Sequence, residues 1–119
     1  MNDVLIKPIV WVGSSYDDLI ALPREVQNDI GYALWIAQTG GKHDQAKPLR
    51  GFTGVMEIVS RHQTDTYRAV YVVNLDDHLY VLHTFQKKST RGIATPKKEL
   101  ATIARRLQQA RIIAEGRTL

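Results

Sequence analysis

The chain has no cysteine in its 119 residues. That removes a disulfide framework and thiolate catalysis, and it fits a reducing compartment. Long apolar runs are missing too: Ile9-Val10-Trp11-Val12 is too short for a signal core or a membrane span, and no charged leader precedes it. A soluble, cytoplasmic protein with no membrane partner is therefore expected. The four histidines and the carboxylates show no spacing that resembles a metal site, so no metal and no cofactor are expected. Gly51 and Gly54 are not followed by Gly-Lys-Ser/Thr, so a phosphate loop is absent as well. Acidic residues are outnumbered, with 12 Asp and Glu against 16 Lys and Arg, a net charge of +4 and a pI near 9.5. That balance favours polyanionic partners such as nucleic acid, and it suits an acidic protein surface equally well.

What remains is the composition of a folded chain, 44% hydrophobic and 24% charged. Its length predicts one domain over residues 1–119, with a single core and a shallow functional surface.

Residues 5–12 form a β-rich run containing Pro8, which suits an edge strand. Gly13-Ser14-Ser15 turns the chain, Ser15 caps a short helix over 16–22, and Pro23 opens a second helix at its first position. Val26, Ile30, Ala33, Leu34 and Ala37 recur there at helical spacing, and Gly40-Gly41 ends the segment. Residues 43–47 read as a polar connector. Three strand-like runs follow, 55–61, 65–74 and 78–87, separated by short turns that predict antiparallel neighbours. Thr95-Pro96 opens a final helix, with Leu100, Ile103, Ala104, Leu107 and Ala114 as its buried stripe. The fold class is α+β: a strand and two helices packed on a small, mainly antiparallel sheet, then a C-terminal helix.

The strands carry cations at or near their ends, and a small sheet cannot bury so many. Arg68 interrupts the otherwise apolar run Tyr67–Val73. It is either the partner of a buried acid such as Glu57, or a guanidinium aimed at a phosphate. Glu57 is accordingly either that partner or a proton acceptor. Lys87 and Lys88 close the last strand, where adjacent residues face opposite sides, so a regular strand brings only one of them to a given ligand. A lysine crowded by Arg68 would hold its proton less tightly and could act as a base. Lys47 and Arg50 flank the glycine-bounded approach to the sheet, Arg61 stands at a strand end, and Arg91 lies in the basic loop Ser89-Thr90-Arg91-Gly92. These four are candidates for phosphate contacts, or else ordinary solvated charges. His83 alternates with Val81 and Phe85 and shares a face with Lys87, which makes it a satisfied core histidine or a candidate for proton transfer.

Lys47-Pro48-Leu49-Arg50-Gly51-Phe52, Met56-Glu57-Ile58, Tyr67-Arg68-Ala69-Val70-Tyr71 and Leu82-His83-Thr84-Phe85-Gln86-Lys87-Lys88-Ser89, with the Thr95-Pro96 helix opening, together resemble the RelE/HigB-like toxins of type II toxin–antitoxin modules, in particular their phage-derived branch. The resemblance covers nearly the whole chain. It implies a RelE-like fold and a metal-independent endoribonuclease that cuts messenger RNA on the ribosome, inhibits translation, and is held in check by a cognate antitoxin of helix-turn-helix type. In such an enzyme the substrate's 2′-hydroxyl attacks the adjacent phosphate to give a cyclic phosphate. Arg68, Lys87 and Lys88 then match catalytic positions, and Arg50 and Arg61 match contacts to the RNA backbone. The chain departs from the pattern in placing Glu57 and Val59 where some members carry lysines, and in having no aromatic after Phe85. Toxins of the ParE branch share the fold and poison DNA gyrase without catalysis, so a non-enzymatic gyrase inhibitor is the rival reading. An inactive partner-binding module is the third.

Overall fold

Period-two alternation in the middle of the chain creates a sheet with two apolar faces, and the helices are divided between them. Residues 5–87 and 95–118 are described by the computed structural model. The elements run β1 (Ile9–Trp11), α1 (Ser15–Ile20), α2 (Arg24–Gln38), β2 (Ala46–Pro48), β3 (Val55–His62), β4 (Asp65–Val72), β5 (Leu79–Lys87) and α3 (Lys97–Thr118). The sheet order is β1-β5-β4-β3-β2; β1 joins β5 in parallel and the other neighbours are antiparallel. This is the expected α+β arrangement. Both edges are three-residue strands, short enough to offer little to a foreign strand.

On one face, Ile58 of β3, Tyr67, Ala69 and Tyr71 of β4, and Leu79 and Val81 of β5 pack against Val26, Ile30, Ala33, Leu34 and Ala37 of α2 and Leu19 of α1. The helical spacing seen in the sequence is the stripe that does this packing. On the other face, Val55, Val70, Val72, Tyr80, Leu82 and Phe85 meet Ile103, Leu107, Ala110 and Ala114 of α3. Ala110 takes the place expected for Ala104, which is exposed.

Several local expectations are corrected. Ser14, not Ser15, precedes α1; its hydroxyl donates to Asp18, while Ser15 is buried and donates to the Val81 carbonyl. α3 begins at Lys97, one residue after the expected start, and the Pro96 carbonyl accepts the Glu99 and Leu100 amides. The polar connector contains β2, whose Lys47 sits opposite Glu57 in the β3 ladder. Pro48 is tolerated there because the strand lies at the sheet edge.

The most consequential departure is a bulge in β5. Val70 pairs with His83 and Tyr71 with Val81, leaving Leu82 as an extra residue. Leu82 packs in the α3 layer, and His83 reaches Glu99 and Arg106 of α3, so two successive side chains point the same way. His83 therefore shares a face with Phe85 and Lys87, as expected, but not with Val81, which packs in the α2 layer. A regular strand would have sent Lys87 to the α2 side.

Candidate functional site

Residues paired directly across an antiparallel ladder share a face. Lys47 pairs with Glu57, Glu57 with Val70, Arg61 with Thr66, Thr66 with Lys87, and Arg68 with both Val59 and Phe85. Lys47, Glu57, Arg61, Arg68 and Lys87 consequently lie on the α3 side of the sheet, one or two from each of four strands. α3 covers only part of that side, and a cleft of about 300 Å³ opens beside it, lined by Lys47, Pro48, Leu49, Arg50, Glu57, Arg68, Thr95 and Leu100. That is the lower end of the size range of small-ligand sites.

The inner wall of the cleft is an ion pair. Arg68 Nη1 donates to Glu57 Oε1, and both side chains are almost fully buried. Of the two readings left open for Arg68, the acid-paired one is thus realised, and Glu57 is the partner. The pair is nonetheless part of the cleft surface, and Lys47 Nζ approaches the same Glu57 oxygen at 3.6 Å from a largely exposed position. Glu57 therefore holds two cations at the mouth of one cavity while cancelling only one charge.

Arg50 stands exposed on the rim. It is placed by the turn 49–54, in which Gly51 (φ 91°) and Gly54 (φ 77°) adopt the left-handed conformation that side-chain-bearing residues resist. Lys87 is partly buried at the end of β5. Desolvation, and next the charge of Arg68, push its ammonium below the usual lysine range; Lys47 and Arg61 add to this and Glu57 opposes it. Arg61 is exposed and lines a second, adjoining pocket with Asp44, Gln45, Lys47 and Val59. Lys88 and Arg91 lie outside the described residues.

His83 is held elsewhere. Its Nε2 is 2.9 Å from Glu99 Oε1, and its Nδ1 faces Arg106 Nη1 at 3.3 Å, under the middle of α3. Because a guanidinium only donates, Nδ1 accepts and Nε2–H donates to Glu99, which fixes the neutral tautomer. Desolvation is the main reason its pKa is lowered; Arg106 lowers it further, while Glu99 and Asp18 act in the opposite sense.

Sequence reasoning missed Thr95 and Leu100 as cleft residues, and Asp44 and Gln45 as lining of the second pocket. The first two had been assigned to the cap and core of a helix. The second two lie in the segment read as a connector, where only recognition of β2 would have placed them. Among the described residues, no three His, Asp or Glu side chains gather as a metal site would require, and no helix is long and apolar enough to cross a membrane.

The arrangement can bind an extended anion: Lys47, Arg50 and Arg68 line the cleft, Arg61 lines the adjoining pocket, and Lys87 is close enough to Arg68 to feel its charge. No curated protein matches the chain. The family model described as "Phage derived protein Gp49-like (DUF891)" matches residues 17–108, well over half the chain. That span runs from α1 into α3 and includes every strand lining the cleft; the chain belongs to the Gp49-like family of phage-derived proteins.

Proposed function

We propose that this protein is the toxin of a type II toxin–antitoxin module, an endoribonuclease that cleaves messenger RNA on the ribosome with protein side chains alone. Membership of the Gp49-like family supports the toxin assignment. The observation that carries the nuclease reading is the convergence of Lys47, Arg50 and Arg68 around one cleft, with Lys87 close enough to Arg68 to feel its charge.

Cleavage requires the ribose 2′-hydroxyl to attack the neighbouring phosphorus. The 2′-O–P bond forms, the P–O5′ bond breaks, and the products are a cyclic phosphate and a free 5′-hydroxyl. Charge accumulates on the phosphoryl oxygens, where fixed cations lower the barrier most. Arg68, clamped by Glu57 and unable to swing away, is oriented before substrate arrives; Arg50 and Lys47 bring the backbone to it. Lys87 takes the 2′-hydroxyl proton. Its depressed pKa leaves more of the amine neutral near physiological pH than an ordinary lysine has. The leaving 5′-oxygen is protonated by water, which reaches the open cleft. Lys88 and Arg91 supply further contacts to the same backbone.

The antitoxin in this reading presents an acidic segment that covers the cationic cleft, joined to a helix-turn-helix domain. Induction in growing cells should stop translation before replication, and purified protein should cut ribosome-bound message. Arg68→Lys keeps the pairing with Glu57 but loses the forked donor, so it should slow cleavage about 100-fold. Cleavage by this variant at the parental rate would remove Arg68 from the mechanism. Stalled replication with translation intact would favour a gyrase poison instead.

A further inference from the structure

The second pocket is a cavity of about 220 Å³ that adjoins the cleft and shares Lys47 with it. Glu57, Val59 and Arg61 follow one another along one face of β3, so the two cavities lie in a row, offset by same-face steps of about 7 Å each. That is the scale of a single nucleotide in an extended strand. The pocket is also chemically mixed. Lys47 and Arg61 provide positive charge; Asp44 and Gln45 offer a carboxylate and an amide.

The segment that carries Asp44 and Gln45 is fixed by hydrogen bonding. The Val59 amide donates to the Gln45 carbonyl at 3.1 Å, the Ala46 amide donates to the His43 carbonyl, and the Gln45 amide donates to His43 Nδ1 at 3.0 Å. A phosphate placed against Asp44 would be repelled, whereas a base bearing ring N–H or amino groups finds acceptors there. Val59 adds an apolar surface to the lining, on which a base or ribose can rest.

We propose that this pocket is a separate nucleotide subsite for single-stranded RNA. Lys47 and Arg61 hold the phosphate next along the strand from the one in the cleft, and Asp44 with Gln45 read the polar edge of the attached base. The inference rests on the cleft being the RNA site, and it adds a second phosphate position and a specificity determinant. Lys47 spans the two positions, which makes the minimal ligand an oligonucleotide with two consecutive phosphates.

The test uses the full chain and 2′-O-methyl RNA, which lacks the attacking hydroxyl and stays uncut. Calorimetric titrations compare a dinucleotide with one phosphate and a trinucleotide with two, each of the four bases being placed in turn at the added position. The trinucleotide should bind about tenfold tighter, as expected for one more charge-assisted phosphate contact. Arg61→Ala should abolish that gain and lower the salt slope of trinucleotide binding by about 0.7, leaving the dinucleotide unchanged. Asp44→Asn should reorder the preferred bases at the added position without touching dinucleotide affinity. If the dinucleotide binds but the trinucleotide gains nothing, or if Arg61→Ala weakens both alike, the subsite is refuted while the cleft assignment stands. If neither ligand binds, the cleft assignment falls and takes the subsite with it.

Discussion

The two faces of the sheet are made from the same strands and the same alternation, yet one is sealed and the other is open. On the α2 side, β4 offers Tyr67, Ala69 and Tyr71 to a helix that lies across them, and buried polar residues there are satisfied: Ser60 of β3 bonds Asp29 of α2 at 3.0 Å and Thr84 of β5 bonds the Ser15 carbonyl. On the α3 side, β4 offers Arg68, Val70 and Val72. The helix packs on the apolar members of this face and leaves a cleft at Lys47, Glu57 and Arg68, with Arg61 and Lys87 towards the β3–β4 turn. A buried arginine would be out of place on the first face; on the second it becomes the floor of a cleft. The difference lies in how far each helix reaches, not in the strands themselves.

The largest effects should come from breaking the Glu57–Arg68 pair, and a contrast with the sealed face makes them interpretable. Arg68→Ala strands a buried carboxylate beside Lys47 and Lys87 without its hydrogen-bonded partner. It should lower unfolding free energy by about 3–5 kcal/mol in urea titrations and abolish cleavage. Replacing both residues together, Glu57→Leu with Arg68→Met, should recover most of the lost stability and none of the activity. Ile30→Ala on the sealed face should cost about 2–5 kcal/mol through a cavity and leave cleavage per folded molecule unchanged. If the double variant still cleaves, the open face is a structural ion pair and not a site.

A second difference concerns pH. A base that works as a neutral amine gains activity as pH rises towards its pKa, and Lys87 is pushed below 10.5 chiefly by desolvation and then by Arg68. The cleavage rate should therefore rise through neutral pH and level off below 10.5. Lys87→Met should flatten this profile and lower its plateau. A profile unchanged in Lys87→Met would transfer the proton-accepting role to another group.

The sequence disclosed a good part of this contrast, and the reasons it stopped are local. Apolar residues at helical spacing between Val26 and Ala37 identified α2 because a single stripe does all the packing. Three β-rich runs identified the sheet core. Ala46-Lys47-Pro48 carries no strand signal of its own; pairing with β3 alone makes it a strand. The bulge at Leu82 is equally silent, since β5 is a run of nine strand-forming residues through which either register looks regular. Lys87 was named as a candidate, but its placement beside Arg68 depends on that bulge. Arg106 lies off the apolar stripe of α3, and only the fold shows it reaching the Leu82 carbonyl, His83 and Ser14.

The smallest expected effect distinguishes His83 from the cleft altogether. His83 faces Glu99 and Arg106 from α3 and feels Asp18 from α1, in a site where desolvation holds its pKa below 6.5. Well above pH 6.5 the imidazole is neutral in both the folded and the unfolded chain, so it adds no pH dependence there. As pH falls through 6.5 the unfolded chain takes up a proton that the folded chain refuses, and stability drops until the folded pKa is passed. Protonation would also turn Nδ1 into a donor facing the Arg106 guanidinium. Urea midpoints of the wild type should therefore decline between pH 7 and pH 5 more steeply than those of His83→Gln, whose amide keeps a donor and an acceptor without titrating. At pH 7 this variant should cleave within a few-fold of the parental rate, because the Glu99–His83–Arg106 chain anchors α3 to β5 and touches neither pocket. Loss of cleavage without loss of stability would instead bring His83 into the chemistry, and the open face would then extend beneath α3.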